Sequence, residues 1–443
     1  SFSSSMQSLL SKDLGEINQE AVNYHFFLHS VVPAPNTLFD NIFKLEPGYF
    51  ILIDNNDKIT RKKYYSIDNL PLVIFKDEGE IIEAIDYHLL NAIKKRLSTS
   101  DVPVGILLSG GLDSSLITAM ASKHKLAEIN TYSIGFQSIN EEQGDEFYFS
   151  DLVSNNYSNN HHKIKIGNDQ LFDNLDMVIE NMPEPMSSQD ASAFFLLARE
   201  VSKKQKVVLS GQGADELFGG YPWYTLMDAE KHASDVQKFQ RHYLDRTLED
   251  FKTTILNDFI SLDNTTDFIR SSFGAYDTNL TFLDKLLRFD ISHLIVDDPV
   301  KRVDSMTMAW GLEARVPFLD RELIEFMCSL SSRKKVDNNG KYYLKKLAMN
   351  YLSHEVIHRK KFHFPVPPLK ILNGKILDFV REILCSNECK DRGILNQQNI
   401  TQLLSNPNEN FTKLDGNKLW HLAVFERWFQ INLDKKNPSV KTG

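Results

Sequence analysis

Two patterns of apolar residues alternate along residues 78–209, and together they predict the fold. Ile81, Ile85 and the apolar residues that follow them at helical spacing predict an amphipathic helix over residues 78–97. Short apolar runs predict buried strands, and these lie at 104–108, 129–136, 163–166 and 206–209. Buried strands that alternate with helices are typical of a mostly parallel sheet covered on both faces. We therefore expect a doubly wound α/β fold.

The second half of the chain has a helical pattern from Tyr224 onward. Within residues 418–431, Leu419, Leu422 and Phe425 recur at helical intervals, which predicts a last helix packed into the core. Residues 434–443 are polar and predict a disordered tail.

The first 66 residues have a different, β-rich pattern. Residues 49–54 and 58–61 flank an Asn-Asn-Asp turn and predict a β-hairpin. Such a hairpin is poorly stable without further strands, so we expect the end of a domain that is truncated or completed elsewhere. A complete small β subdomain is the alternative. The expected division is 1–66, 67–433 and the tail 434–443.

A glycine-rich turn follows the strand predicted at 104–108, with the sequence Ser109-Gly110-Gly111-Leu112-Asp113-Ser114-Ser115. Adjacent glycines let an anion approach the main chain, and the start of the next helix supplies free N–H groups. No Gly-Lys-Ser/Thr closes the turn, so it is not a Walker-type loop. Asp113 would repel phosphates unless a divalent cation lay between them, which indicates a Mg²⁺ ligand. The alternative is an ordinary turn with Asp113 as a helix cap.

A second turn of the same kind follows the strand predicted at 206–209. Its sequence is Ser210-Gly211-Gln212-Gly213-Ala214-Asp215-Glu216. The carboxyl ends of parallel strands face one crevice, where open α/β sheets bind ligands. We therefore expect Asp113 and Asp215 to share magnesium ions.

Composition excludes some classes of partner. The chain has 443 residues, a formal net charge of −9 and a pI near 5.8, which argues against a nucleic-acid surface. No stretch approaches the ~18–20 apolar residues of a membrane span. The three cysteines show no metal or disulfide spacing, which suits a reducing compartment. We expect a cytoplasmic protein with neither nucleic-acid nor membrane partners.

Both turns resemble known motifs. The segment 109–114 resembles the pyrophosphatase loop of the ATP-pyrophosphatase superfamily, and 210–220 resembles the synthetase half of glutamine-dependent asparagine synthetases. Further segments resemble that family in its order, and they are 304–308, 311–320, 341–346 and 359–362. Within it, the phrases at 31–37, 296–304 and 364–370 are most similar to the N-acetylglutaminylglutamine amidotransferase branch.

The resemblance implies an adenine-nucleotide ATP-pyrophosphatase fold and amidation of a carboxylate through an acyl-adenylate, with release of AMP and pyrophosphate. ATP, Mg²⁺, a small carboxylate or dipeptide and glutamine-derived ammonia would take part, and a homodimer is one assembly we consider. ATP or pyrophosphate would contact Leu108, Ser109, Gly110, Gly111, Asp113, Ser114, Ser115, Ile134, Ser210 and Gly211. Asp113 and Asp215 would hold the metal. Lys361 would be the catalytic lysine, with Lys360 as its competitor.

Two features depart from the family pattern. Glutamine-hydrolysing members carry an N-terminal cysteine nucleophile, whereas this chain has no cysteine before Cys328, so we expect it to use ammonia only. Asparagine-forming relatives usually have an acid at the position of Gln212, and an amide cannot accept a proton at pH 7. Either Glu184, Glu216 or the departing pyrophosphate takes the proton, or Gln212 binds amide groups of a substrate such as N-acetylglutaminylglutamine.

Other interpretations stay open at this stage. The acceptor could be aspartate, an internal amine could replace ammonia in a lactam- or macrolactam-forming synthetase, or the chain could be a non-catalytic ATP-binding scaffold. Glu313 and Arg315 fit structural ion pairing as well as substrate contact. Asp145 and Glu146 fit metal contact or helix capping.

Overall fold

The computed structural model describes residues 1–11, 14–75, 77–139, 142–157, 159–359 and 366–435. The strands are β1 Tyr49–Ile53, β2 Ile59–Lys63, β3 Val104–Leu107, β4 Asn130–Phe136, β5 Asn160–Ile166, β6 Val207–Leu209 and β7 Glu313–Arg315. The helices before residue 230 are α1 Gln19–Phe27, α2 Glu78–Ser98, α3 Leu112–Lys123, α4 Phe147–Asn156, α5 Asn168–Phe172, α6 Leu175–Glu180, α7 Asp190–Val201, α8 Ala214–Phe218 and α9 Pro222–Ala229. Those that follow are α10 Asp235–His242, α11 Leu248–Thr254, α12 Leu262–Gly274, α13 Phe282–Phe289, α14 Lys301–Met308, α15 Arg321–Ser329, α16 Tyr342–Ala348, α17 His354–Ile357, α18 Pro367–Lys370, α19 Gly374–Leu384, α20 Asn387–Arg392, α21 Gln397–Ser405 and α22 Lys418–Phe429.

The central sheet is parallel throughout and has the order β5-β4-β3-β6-β7. Ile106 of β3 lies opposite Thr131 of β4 on one side and Leu209 of β6 on the other. The chain moves from β3 outward through β4 and β5, then crosses back to β6 on the opposite side of β3. This reversal opens a crevice at the carboxyl ends of β3 and β6, the place where such sheets bind ligands.

Helices cover both faces of this sheet, as the alternating pattern predicts. Ile106 and Leu209 join an apolar cluster formed with α2 and α3 on one face. Leu107 and Val208 point the other way and join a cluster that contains α7. Because successive strand residues face opposite sides, β3 and β6 are buried on both faces. The predicted doubly wound fold is confirmed.

The second half of the chain is helical apart from one strand, β7, among its described residues. The last helix, α22, is buried along almost its whole length, with Trp420 and Trp428 no more than 1% exposed. Strand β7 pairs with β6 at the edge of the sheet and was not predicted, because the sequence Glu-Ala-Arg has no apolar run.

The N-terminal segment combines the predicted hairpin with a helix that the pattern did not indicate. In the hairpin, Tyr49 pairs with Lys63 and Ile53 pairs with Ile59. Helix α1 begins after Asn18, whose side chain accepts a hydrogen bond from the N–H of Ala21 at 2.8 Å. The ring of Phe26 in α1 packs against that of Phe425 in α22, with ring centres 4.9 Å apart. This segment therefore shares one apolar core with the C-terminal helices.

The last described turn, Gln430–Asp434, ends at an ion pair. Arg392 donates to the carboxylate of Asp434 at 2.6 Å, so the predicted tail is held at its first residue. Residues 436–443 of that tail lie outside the described residues. Among the helices that the structure describes, none has both the length and the apolar character needed to cross a membrane.

Candidate functional site

A cavity of about 580 Å³ lies at the carboxyl ends of β3, β4 and β6. One wall is formed by the turn after β3 and the start of α3, and another by the turn after β6. Residues 338–341 and 356–359 from the helical half close it on the remaining sides. A space of this size matches a nucleotide-sized ligand.

The turn after β3 is held in shape by its own hydroxyl groups. Ser109 Oγ accepts a hydrogen bond from the N–H of Gly111 at 3.2 Å, and Ser114 Oγ accepts one from the N–H of Ser109 at 3.2 Å. The two hydroxyl oxygens lie 3.1 Å apart. Gly111 occupies the N-cap position of α3 and has no side chain to cover the first turn. The N–H groups at the start of α3 therefore face the cavity as an anion site.

Gly110 is required by the backbone rather than by ligand contact. Its φ is +74°, in the left-handed region, and a Cβ atom there would collide with the backbone of Phe149 and Ser150 in α4. Gly110 was predicted to contact the ligand, but it does not line the cavity. It shapes the turn instead.

The aspartates of the two turns converge on one ammonium group. Lys341 Nζ lies 2.8 and 2.7 Å from the two carboxylate oxygens of Asp113 and 2.9 Å from Oδ1 of Asp215. Burial alone would lower the pKa of Lys341, but the negative charges of Asp113 and Asp215 outweigh that effect and raise it above its ordinary value. The two acids thus lie on the same crevice, as expected, with a permanent cation between them.

Lys341 was not among the predicted site residues. It lies immediately before α16, with a φ of +57°, and its N–H donates to the carbonyl of Phe218 at 3.1 Å. The turn that ends at Gly340 precedes it without an apolar strand run, so only its place in the matching segment 341–346 marked it in the sequence.

The second turn touches the first directly. Ser210, Gly211 and Gln212 all line the cavity. A Cβ atom on Gly211 would lie 3.1 Å from Cβ of Asp113, which leaves little room for a side chain. The N–H of Ser210 donates to the carbonyl of Arg315 at 2.9 Å, so β7 fixes the start of this turn.

An apolar end of the cavity lies beside β4. Leu108 and Ile134, both predicted to frame adenosine, line it together with Phe147 and Val356. Apolar side chains of this kind suit the face of a purine.

Arg359 forms part of the opposite wall. Its guanidinium group donates to Glu146 at 2.6 Å and lies 4.8 Å from the ring centre of Phe149. Burial raises the pKa of Glu146, against the opposing charge of Arg359. Glu146 stands at the N-cap position of α4, but its side chain pairs with Arg359 and makes no capping hydrogen bond. The predicted catalytic Lys361 and its competitor Lys360 lie outside the described residues.

The end of the cavity farther along the second turn is polar. It contains Gln212, Asp190, Arg302 and Tyr221. Arg302 Nε lies 2.8 Å from Asp190, which makes an ion pair in the wall. The ring of Tyr221 stacks on Trp223 with ring centres 4.2 Å apart. This end offers an amide, a phenol and an ion pair to a polar ligand.

Besides Gly110, three further predicted residues lie outside the cavity lining. Ser115 is fully buried and does not line the cavity, because it follows Ser114 on α3 and points about 100° away from it. Glu216 also lies beneath the cavity wall, where it accepts a hydrogen bond from the hydroxyl of Tyr221 at 2.7 Å. Glu184, a suggested base, lies outside the lining and is paired with Lys44 at 2.6 Å and Lys301 at 3.0 Å.

The remaining charged candidates serve the scaffold. Arg315 pairs with the exposed Glu313 at 2.9 Å and donates to the carbonyl of Arg96 at 2.6 Å. Asp320 caps α15 and pairs with Arg96 at 2.9 Å. Asp145 accepts a hydrogen bond from the N–H of Phe147 at the start of α4. These contacts fit the structural interpretation of Glu313 and Arg315.

Comparison with known proteins places this geometry in a family. Residues 84–430 match the family model described as asparagine synthase. The chain belongs to the asparagine synthase family. The α/β domain with its parallel sheet is accordingly of the ATP-pyrophosphatase type, and membership indicates an asparagine synthetase-like ligase that carries out ATP-dependent amidation.

Individual relatives are similar over most of the chain. Glutamine-hydrolyzing asparagine synthetase 1 of Bacillus subtilis (strain 168) is 29% identical over 459 residues, which covers 95% of this chain and 70% of the relative. Asparagine synthetase 3 of the same strain is 27% identical over 431 residues, with coverages of 91% and 69%. Asparagine synthetase 1 of Saccharomyces cerevisiae (strain ATCC 204508 / S288c) is 28% identical over 370 residues, with coverages of 73% and 55%.

Proposed function

We propose that this chain is an ATP-dependent amide synthetase that converts a carboxylate to an acyl-adenylate, releases pyrophosphate, and lets ammonia displace AMP. The observation that carries the proposal is the convergence of Asp113 and Asp215 on one cationic group at the anion-binding turn. A protein that binds ATP without catalysis would not need two partly buried carboxylates beside a turn that can bind phosphate.

The donor set fits magnesium. Oxygen atoms of Asp113 and Asp215 lie within 2.9 Å of one ammonium nitrogen, so hard oxygen ligands already surround a cation position. Mg²⁺ bound beside this ammonium group would neutralise the charge that accumulates on the phosphates. Asp113 and Asp215 would hold it, and Lys341 would add a fixed positive charge beside the pyrophosphate.

The chain's own groups supply the rest of the activation. The N–H groups at the start of α3 and the hydroxyls of Ser109 and Ser114 would bind pyrophosphate. Leu108 and Ile134 would hold the adenosine. We keep Lys361 as the proposed cation at the α-phosphate, on the strength of the family resemblance.

We further propose N-acetylglutaminylglutamine as the acceptor. Support comes from the polar end of the cavity, where Gln212 offers an amide that can pair with the amides of a dipeptide. Neither Glu184 nor Glu216 lines the cavity, which favours the departing pyrophosphate as the group that takes the amine proton.

The amine donor is proposed to be ammonia. Residues 1–66 would be the end of an amidotransferase domain, as the family resemblance implies. We expect ammonium to support amide formation by this polypeptide.

A pyrophosphate-release assay tests the proposal. Purified protein with ATP, Mg²⁺ and ammonium is given N-acetylglutaminylglutamine, aspartate or an amine-bearing acid that can cyclise, and AMP and the product are identified by mass spectrometry. We expect AMP and the dipeptide amide, and at least a ~100-fold loss of rate in Asp113→Asn. The matched control is Asp378→Asn, because the side chain of Asp378 is 75% exposed.

Each other outcome has a defined meaning. Amidation of aspartate or cyclisation would replace the proposed acceptor and keep the adenylation chemistry. Absence of AMP with every acid would refute the synthetase itself. Full activity in Asp113→Asn would refute the role proposed for Asp113.

A further inference from the structure

Three side chains that do not line the cavity converge at a second place in the molecule. His29 follows α1, Asp245 lies between α10 and α11, and His421 lies in α22. Nδ1 of His29 is 3.2 Å and Nδ1 of His421 is 3.5 Å from the same oxygen, Oδ2 of Asp245. All three ligand atoms lie within 4.8 Å of one another.

These separations are compatible with a shared metal ion. Ligands placed about 2.0–2.1 Å from a tetrahedral zinc ion lie roughly 3.3–3.4 Å apart, between the distances of 3.2 and 3.5 Å from the two histidines to Asp245. The third pair, the two histidine nitrogens, lies within 4.8 Å.

Neighbouring groups fix the carboxylate in the required direction. The other oxygen of Asp245, Oδ1, accepts a hydrogen bond from the N–H of Leu414 at 3.4 Å, which leaves Oδ2 directed at the histidines. The N–H of Asp245 donates to the carbonyl of Phe27 at 2.9 Å. The adjacent Arg246 is engaged with Asp250 at 3.1 Å and not with Asp245. Such supporting contacts commonly orient metal ligands.

Burial differs among the three side chains. The side chains of Asp245 and His421 are 2% and 5% exposed, whereas that of His29 is 13% exposed. An ion could therefore enter past His29, and water could take a fourth position.

We propose that His29, Asp245 and His421 form a binding site for Zn²⁺. Two imidazole nitrogens and one carboxylate oxygen are ligands that suit this ion. The site would join the N-terminal segment, the middle of the helical half and the last helix, and it is separate from the nucleotide cavity. Its role would be structural.

Metal binding by the full chain tests this site without reference to activity. The protein is freed of metal with a chelator, titrated with Zn²⁺, and titrated separately with Co²⁺ while visible absorption is recorded. We expect one equivalent of Zn²⁺, the absorption bands of four-coordinate Co²⁺, and a raised Tm on zinc addition. His29→Gln, at the partly exposed ligand, should weaken binding at least about tenfold.

The matched control is His354→Gln. His354 and His358 are exposed and stack with ring centres 4.2 Å apart, so they form another pair of imidazoles that could take up zinc. The control should bind zinc like the unchanged protein. Loss of binding in His354→Gln, unchanged binding in His29→Gln, or no binding by the parent protein would overturn the proposal.

X-ray absorption of the zinc-loaded parent protein identifies the metal ligands and does not depend on the folding of any variant. A first shell containing two imidazoles and a carboxylate supports the site even where His29→Gln fails to fold. A shell with fewer than two imidazoles would refute it.

Discussion

Lys341 contacts Asp113 through both carboxylate oxygens, at 2.8 and 2.7 Å, although the two residues come from opposite halves of the chain. Asp113 is placed by the turn after β3, and Lys341 by the loop that precedes α16. The contact therefore joins the sheet to the helical half at the point where phosphates would bind. It also means that the acid pair is charge-compensated before any ligand arrives.

The variant Lys341→Met should be destabilised and should depend on magnesium. Removing the ammonium leaves Asp113 and Asp215 facing each other without a cation, which costs about 3 kcal/mol of the free energy of unfolding. Added Mg²⁺ should recover part of this loss, because it takes the place of the missing charge. Thermal unfolding at increasing Mg²⁺ measures the effect, and Tm should rise more steeply in the variant than in the parent.

Lys375→Met is the control for that experiment. Lys375 pairs with Asp169 at 2.7 Å, but both side chains are largely exposed, so the loss should stay below about 1 kcal/mol. Equal magnesium dependence in the parent and in Lys341→Met would argue against a shared cation position.

The strands and the two acidic turns could be predicted because their signals are local. β3 and β6 lie in short apolar runs, and each acidic turn begins where one of them ends. β7 could not be predicted, because its three residues become a strand only through pairing with β6. Helix α1 was missed as well, since it is buried on nearly all sides and so lacks an amphipathic period.

The site was predicted less completely, for reasons of geometry. Ser115 and Glu216 stand next to correctly placed residues, but one step along a helix turns a side chain by about 100°, and both point into the protein. Lys341 approaches from a distant segment, and no local pattern encodes that approach. The cluster of His29, Asp245 and His421 joins three distant segments in the same way.

Gly110→Ala should impair both stability and pyrophosphate release. The φ of +74° costs a side chain roughly 1–2 kcal/mol, and its methyl group would press on the backbone of Phe149 and Ser150. The turn that holds Ser109 and Gly111 would shift and misplace its hydrogen-bond donors to the phosphates. Because such donors stabilise the transition state, kcat should fall by at least tenfold. Chemical unfolding and the pyrophosphate assay measure the two effects.

Gly167→Ala provides the comparison for that substitution. Gly167 precedes α5 with a φ of −80°, and a Cβ atom there would have nothing within 4 Å. Stability and rate should stay near those of the parent. Wild-type kinetics in Gly110→Ala would show that the turn does not need its left-handed residue for catalysis.

Gln212→Glu tests how the acceptor is recognised. If the amide of Gln212 pairs with amides of the substrate, a carboxylate loses the N–H donors and places a negative charge in the polar end of the cavity. We expect kcat/KM for N-acetylglutaminylglutamine to fall at least about tenfold, a typical cost of an unpaired polar group in a binding site. Gln240→Glu, in α10, is a control because Gln240 does not line the cavity. A higher kcat/KM with the dipeptide in Gln212→Glu would contradict amide recognition and favour a proton-accepting role.

Lys335 should make the protein more stable as the solution becomes mildly alkaline. Its ammonium group is buried and donates to the carbonyl of Met327 at 2.5 Å, and burial lowers its pKa to about 8. In the unfolded chain the pKa of this lysine is about 10.4. Between pH 8 and that value, the unfolded chain therefore binds more protons than the folded protein. The free energy of unfolding therefore rises with pH in this window.

Lys335→Met removes the titrating group, so the difference in unfolding free energy between variant and parent should shrink by about 2 kcal/mol from pH 7 to pH 9.5. Urea unfolding of both proteins at the two pH values measures it, and a difference that is independent of pH would show that the buried lysine keeps its ordinary pKa.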